Sequence, residues 1–121
     1  MKKVFNILER CINLTFEIID VSQELKKFHH YEFASQIIRS ASAIGANLTE
    51  AQAARTKIEF RSINGIALKE ARETIYWLVI IERLEIIPSQ KITELKKESR
   101  EVANIIGAII LSSKNRNKYR N

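Results

Sequence analysis

Glu70 and Glu73 stand one helical turn apart in "KEARETIYW", and Glu50 follows Arg39 in the small-residue stretch "RSASAIGANLTEAQAA". Paired carboxylates can hold a metal ion or move protons. A metal would need a fuller ligand set than this one. No Glu-x-x-His motif occurs, and the only histidines, His29 and His30, fall in "KKFHHYE", which breaks the apolar pattern and reads as a connection. No glycine-rich phosphate loop and no supported Ser/His/Asp set is present. An all-helical ribonuclease of the HEPN type needs an Arg followed within a few residues by His, which the chain lacks. The expectation is a protein that is not an enzyme, without metal or cofactor. Arg39 and Glu50 are then expected to form a structural ion pair at a subunit contact, with Glu70 and Glu73 in the same network.

Positive charge is the second chemical feature. The chain has 20 Lys and Arg against 14 Asp and Glu, a formal net charge of +6. That balance permits contact with a polyanion without requiring it. Arg55, Lys57 and Arg61 cluster at one junction. Lys114, Arg116, Lys118 and Arg120 share the closing stretch "KNRNKYRN" with Tyr119, a possible base-stacking group, and no acid. These eight residues are the nucleic-acid candidates. Lys96, Lys97 and Arg100 alternate with Glu94, Glu98 and Glu101 and read as a solvated helix face.

The elements that would carry these groups are helical. Only 3 Gly and 1 Pro punctuate 121 residues, which favours long helices over a turn-rich β fold. Four amphipathic segments emerge. In the first, Ile7, Leu8, Cys11, Leu14, Ile18, Val21, Leu25 and Phe28 recur at spacings of three and four. The second runs from about Glu32 to Ala54. The third runs from about Lys57 to Leu84, with Phe60, Ile63, Ala67, Ala71, Thr74, Leu78 and Ile81 on one stripe. Its stretch "IYWLVII" could make a single strand, but helical periodicity on both sides favours helix. Pro88 breaks the pattern before the fourth, which carries Ile92, Leu95, Val102, Ile106 and Ile109 and is expected to end near Ser113. The expected fold is all-α, an antiparallel up-and-down four-helix bundle over 1–113 with a basic tail over 114–121. The tail is expected to be frayed when alone.

No stretch approaches the roughly 20 apolar residues of a membrane span. Asn6, Glu9 and Arg10 interrupt the start, so no secretion signal is expected. The lone Cys11 excludes an internal disulfide and fits a reducing cytoplasm. Its place on an apolar stripe predicts a core residue.

The second segment has two faces. On a helical wheel Ile37, Ala41, Ile44, Leu48 and Ala51 fall on one side, which faces the core. Arg39, Ala43, Ala46, Asn47, Glu50 and Ala54 fall on the other. An ordinary wet face would hold several Lys and Glu. The third segment adds Ile66, Trp77, Ile80 and Leu84 beside its core stripe, and a helix apolar almost all round is buried on more than one side. The expectation is a homo-oligomer whose interface uses Arg39, Ala43, Ala46, Asn47, Glu50, Ile66, Glu70, Glu73, Trp77 and Ile80.

"QIIRSASAIGANLTEAQAARTKIEF" (36–60) and "IALKEARETIYWL" (66–78) resemble the four-helix bundle family of proteins encoded in bacterial 23S rRNA intervening sequences. That family includes the accessory, Avd-like proteins of diversity-generating retroelements. Gln36, Arg39, Ser40, Asn47, Glu50, Phe60, Ala67, Glu70 and Glu73 fall on its pattern. Gly45 and Ala51 replace a common Pro and Gly, and "ALKEA" replaces a Gly-Ser pair, as in a branch carrying "SIGAN", "EAQ" and "KEARE". The resemblance implies a homopentamer of barrel-like form and a nucleic-acid-linked role. In the retroelement branch it implies a basic scaffold for a reverse transcriptase and RNA. The leading expectation is therefore a non-enzymatic oligomer that binds RNA or DNA. The alternative is a protein-binding adaptor with no direct nucleic-acid contact.

Overall fold

The computed structural model describes the backbone of residues 2–120 and the side chains of residues 6–114. Arg116, Lys118, Tyr119 and Arg120, named above, lie outside the described side chains. The described residues form four helices and no strand: α1 Lys2–Lys27, α2 Tyr31–Ala51, α3 Lys57–Leu84 and α4 Ser89–Arg120. α4 continues as helix beyond Ser113, where the apolar stripe had placed its end. No helix among the described residues is long and apolar enough to cross a membrane.

Each boundary has a local cause. α1 stops where His29 takes a left-handed conformation, φ 64°. The His30 amide donates to the Leu25 carbonyl and the His29 amide to that of Lys26, the paired bonds of a Schellman stop. Lys26 and Lys27 sit in the last turn, where cations favour the negative end of the helix dipole. Phe28 is therefore outside the helix and 57% exposed, although its spacing had put it on the core stripe. α2 ends at Ala51 because its last amides, from Gln52 to Ala54, bond three residues back, which tightens and closes the turn. α3 opens with a reciprocal cap. The Thr56 hydroxyl accepts from the Glu59 amide at 3.0 Å, and the Glu59 carboxylate accepts from the Arg55 amide at 3.0 Å. It closes at Glu85, again left-handed at φ 57°, three residues before Pro88.

Bonds between helices define the topology. Gly45 meets Cys11 across α1 and α2, and Ser40 meets Thr74 across α2 and α3. Arg61 reaches Ser113 and Glu82 binds Lys96 across α3 and α4. Arg10 binds Glu98 while Glu17 binds Lys91, so α4 also runs antiparallel to α1. This is an up-down-up-down bundle in which, of the neighbouring helices, α1 and α4 touch each other least.

The core is built from the expected stripes. Ile7, Leu14, Ile18, Leu25, Ile37, Ile44, Leu48, Leu78, Ile81, Ile92, Leu95 and Ile106 are fully buried. The α3 stripe is displaced at its start: Phe60 and Ile63 are half-buried, and Asn64 is buried beside them. Among the described residues, neither polar atom of the Asn64 amide has a hydrogen-bond partner, nor does the buried Ser99 hydroxyl. Leaving such groups unmet costs about 1–3 kcal/mol each.

Candidate functional site

Within one chain Arg39 and Glu50 lie eleven residues apart on α2, about 16 Å along the axis, so an ion pair between them would belong to a contact of two subunits. Arg39 turns instead to α3 of its own chain. It pairs with the Glu70 carboxylate at 2.9 Å and with Glu73. Glu73 also accepts from the Trp77 indole at 3.1 Å, and Trp77 packs on Phe33 at 6.1 Å between ring centroids. Glu70 and Glu73 are thus engaged by a guanidinium and an indole, an arrangement suited to fastening α2 to α3. Glu50 is exposed, with no side-chain partner among the described residues. No three His, Cys, Asp or Glu side chains converge among the described residues.

Cys11 lies in the core, as its stripe position predicts. Burial, with the nearby Glu98 charge, pushes its thiol up to about 12. It stays protonated and unreactive at neutral pH. Its neighbour Arg10 makes a two-pronged bond to Glu98, at 2.5 and 2.9 Å, and a third bond to Glu101 at 2.6 Å. Hydrogen bonding to Glu98 outweighs the desolvation of Arg10 and holds the guanidinium more firmly protonated than usual.

The expected α2 interface splits between two sides. Arg39 faces α3, as above. Ala46 faces α1, where with Ser42, Gly45 and Thr49 it floors a groove of about 330 Å³. The groove's opposite wall is Leu8, Ile12, Thr15 and Phe16, and Ile12 and Phe16 are 50% and 65% exposed. These two residues were missed in the sequence, although Leu8, Ile12 and Phe16 follow a spacing of four beside the core stripe. Ala43 and Asn47 are half-buried, and the Asn47 amide donates to the Ala43 carbonyl at 2.8 Å. On α3, Ile66 is exposed, while Trp77 and Ile80 are half-buried.

The basic candidates gather at one end of the bundle. Arg61 Nη1 lies 3.4 Å from the Ser113 hydroxyl, so the α2–α3 junction meets the root of the tail at Lys114. Arg55 and Lys114 are exposed, Arg61 half-buried, and Lys57 engaged by a neighbour. A second basic surface, not singled out in the sequence, lies between α3 and α4. Arg72 and Arg100 line a groove there of about 350 Å³.

Among the described residues, fold and surface define a helical bundle with an apolar groove, a basic end and a basic seam. Its family is shown by comparison with known proteins. The chain belongs to the 23S rRNA-intervening sequence protein family, whose model matches residues 3–108. It is similar to a crystal structure of a protein of unknown function from the S23 ribosomal protein family of Bacteroides thetaiotaomicron VPI-5482. The two share 30% identity over 86% of this chain and 97% of the other, with a TM-score of 0.81. No protein of curated function matches the chain.

Proposed function

We propose that this chain is a cytoplasmic, non-enzymatic protein that assembles as a homopentameric ring and binds nucleic acid through basic surfaces. In this reading it serves as an accessory scaffold to a reverse transcriptase or an rRNA-linked element. The observation that carries it is the basic end, where Arg55, Arg61 and Lys114 collect without an ion pair among the described residues. Repeating that end around an axis multiplies a modest charge into a strong field for phosphate.

The α1–α2 groove supports assembly. Its exposed Ile12 and Phe16 lie on a different helix pair from the exposed Ile58 and Ile66 of α3. A contact between unlike patches is head-to-tail, the type that closes a ring. Two measurements test the reading. Light scattering in high salt should return a mass near five chains of 14.0 kDa. Fluorescence anisotropy should show RNA binding that weakens steeply as salt rises. A monomer would sink the ring. A partner protein retained at high salt, with no affinity for RNA, would favour the adaptor reading.

A further inference from the structure

Gly45, Gly65 and Gly107 all sit inside helices, where glycine costs about 1 kcal/mol relative to alanine. The fold explains only the first. A Cβ on Gly45 would lie 3.2 Å from the Cβ of Cys11, tighter than an ordinary contact, so α1 would have to give by a few tenths of an ångström. A Cβ on Gly65 or Gly107 would meet nothing within 4 Å. Nothing in the packing of the chain asks for glycine at either place.

Those two glycines border the same seam. Arg61, Gly65, Leu68 and Arg72 recur at spacings of four, three and four, which puts them on one edge of α3. Arg100, Asn104, Gly107 and Lys114 follow one edge of α4 in the same way. The Arg61–Ser113 bond shows that α3 and α4 run antiparallel along this edge, which places Gly65 nearer the basic end than Gly107. Arg72, Arg100, Asn104 and Gly107 line the seam's groove together with the apolar Leu68, Ile75 and Ala103, and no carboxylate among the described residues does.

The neighbouring acids are turned elsewhere. Glu98 and Glu101 on α4 are held by Arg10 of α1. Glu70 and Glu73 on α3 are held by Arg39 of α2, and Glu82 takes Lys96. Arg72 and Arg100 make no ion pair among the described residues, and Lys69 and Lys97 beside them make none either. The result is a strip of one charge sign. From Arg61 to Arg72 it runs about 16 Å along α3, and from Arg100 to Lys114 about 21 Å along α4. Packed helix axes lie only about 8–10 Å apart, so the cleft between them suits a single strand better than a duplex.

We infer that the α3–α4 seam is a track for single-stranded RNA, with Arg72 and Arg100 clamping its phosphates and Gly65 and Gly107 letting its backbone approach the helices. This rests on the nucleic-acid reading above and locates it. Arginine forks match phosphate oxygens, and glycine is suited to close approach of a ligand to the main chain.

The test is anisotropy of a fluorescein-labelled oligouridylate with the full chain, titrated at several salt concentrations. The double variant Arg72→Ala/Arg100→Ala should lose about tenfold in affinity. Its log–log salt slope should become shallower by about 1.4, since each lost phosphate contact to a single strand removes about 0.7. Gly107→Leu keeps every charge and fills open space with a better helix former. It should bind more weakly while unfolding at a higher denaturant concentration than the parent. Binding by both variants equal to the parent would overturn the seam and leave the general reading standing. A parent that binds no RNA would overturn both. A double variant that loses assembled mass would also overturn the seam, assigning the arginines to a second copy of the chain.

Discussion

The α1–α2 and α3–α4 sides carry grooves of nearly equal volume, about 330 and 350 Å³, the first mostly apolar and uncharged, the second mixed and positively charged. One is walled by Leu8, Ile12 and Phe16. The other is flanked by Arg72 and Arg100. Their glycines differ in the same sense: Gly45 sits tight against Cys11, whereas Gly65 and Gly107 face open space. The contrast teaches that a small residue in a helix has no single meaning. It acquires one from what stands opposite.

The sharpest way to break this comparison is to charge the apolar side. In the proposed ring, Ile12→Asp with Phe16→Asp should reduce the mass in light scattering to that of one chain, with helical circular dichroism retained. An unchanged mass would remove α1 from the interface. Next in size is Gly45→Val, which forces a branched side chain toward Cys11. It should destabilise the fold by about 1–3 kcal/mol, read from urea unfolding. Gly65→Ala and Gly107→Ala should move the other way, each gaining about 1 kcal/mol. Were all three glycine variants to shift stability in one direction, the distinction between the grooves would fail.

A further effect concerns pH and appears only in alkaline solution. The Cys11 thiol titrates higher in the folded chain than in the unfolded one. Above the unfolded value, near 9.0, the unfolded state therefore binds fewer protons. Stability attributable to Cys11 is complete below that pH and is lost as pH rises toward about 12. The loss should not exceed about 1.4 kcal/mol per pH unit. Cys11→Ala should flatten the alkaline decline relative to the parent, measured by unfolding at matched ionic strength.

Much of the fold was legible in periodicity alone. All five predicted inward residues of α2, from Ile37 to Ala51, are buried, and α1 follows its stripe until the chain turns at Phe28. The start of α3 was misread because buried Asn64 carries no apolar signal. The site was less legible, for a geometric reason. A helical wheel shows which way Arg39 faces but not which helix stands opposite, so it could not say that Glu70 and Glu73 of the same chain hold it. Charge patterning has the same blindness across helices. Glu98 and Glu101 appear to neutralise Lys97 and Arg100 in sequence, yet both bind Arg10, close to ninety residues away. Only tertiary pairing reveals which cations remain over. Small outward residues on α2 were correctly noticed, but their neighbours Ile12 and Phe16 came from a helix whose second stripe had gone unread.

The slight contact between α1 and α4 has its own consequence. The bundle is held less as a closed cylinder than as a strip of hairpins whose outer edges are latched by Arg10 with Glu98 and Glu101 and by Lys91 with Glu17. Such a latch is electrostatic, and salt weakens it. The amides of α1 should therefore exchange with solvent deuterium before those of α2 and α3, by an opening that leaves the other helices folded and that widens as salt is raised.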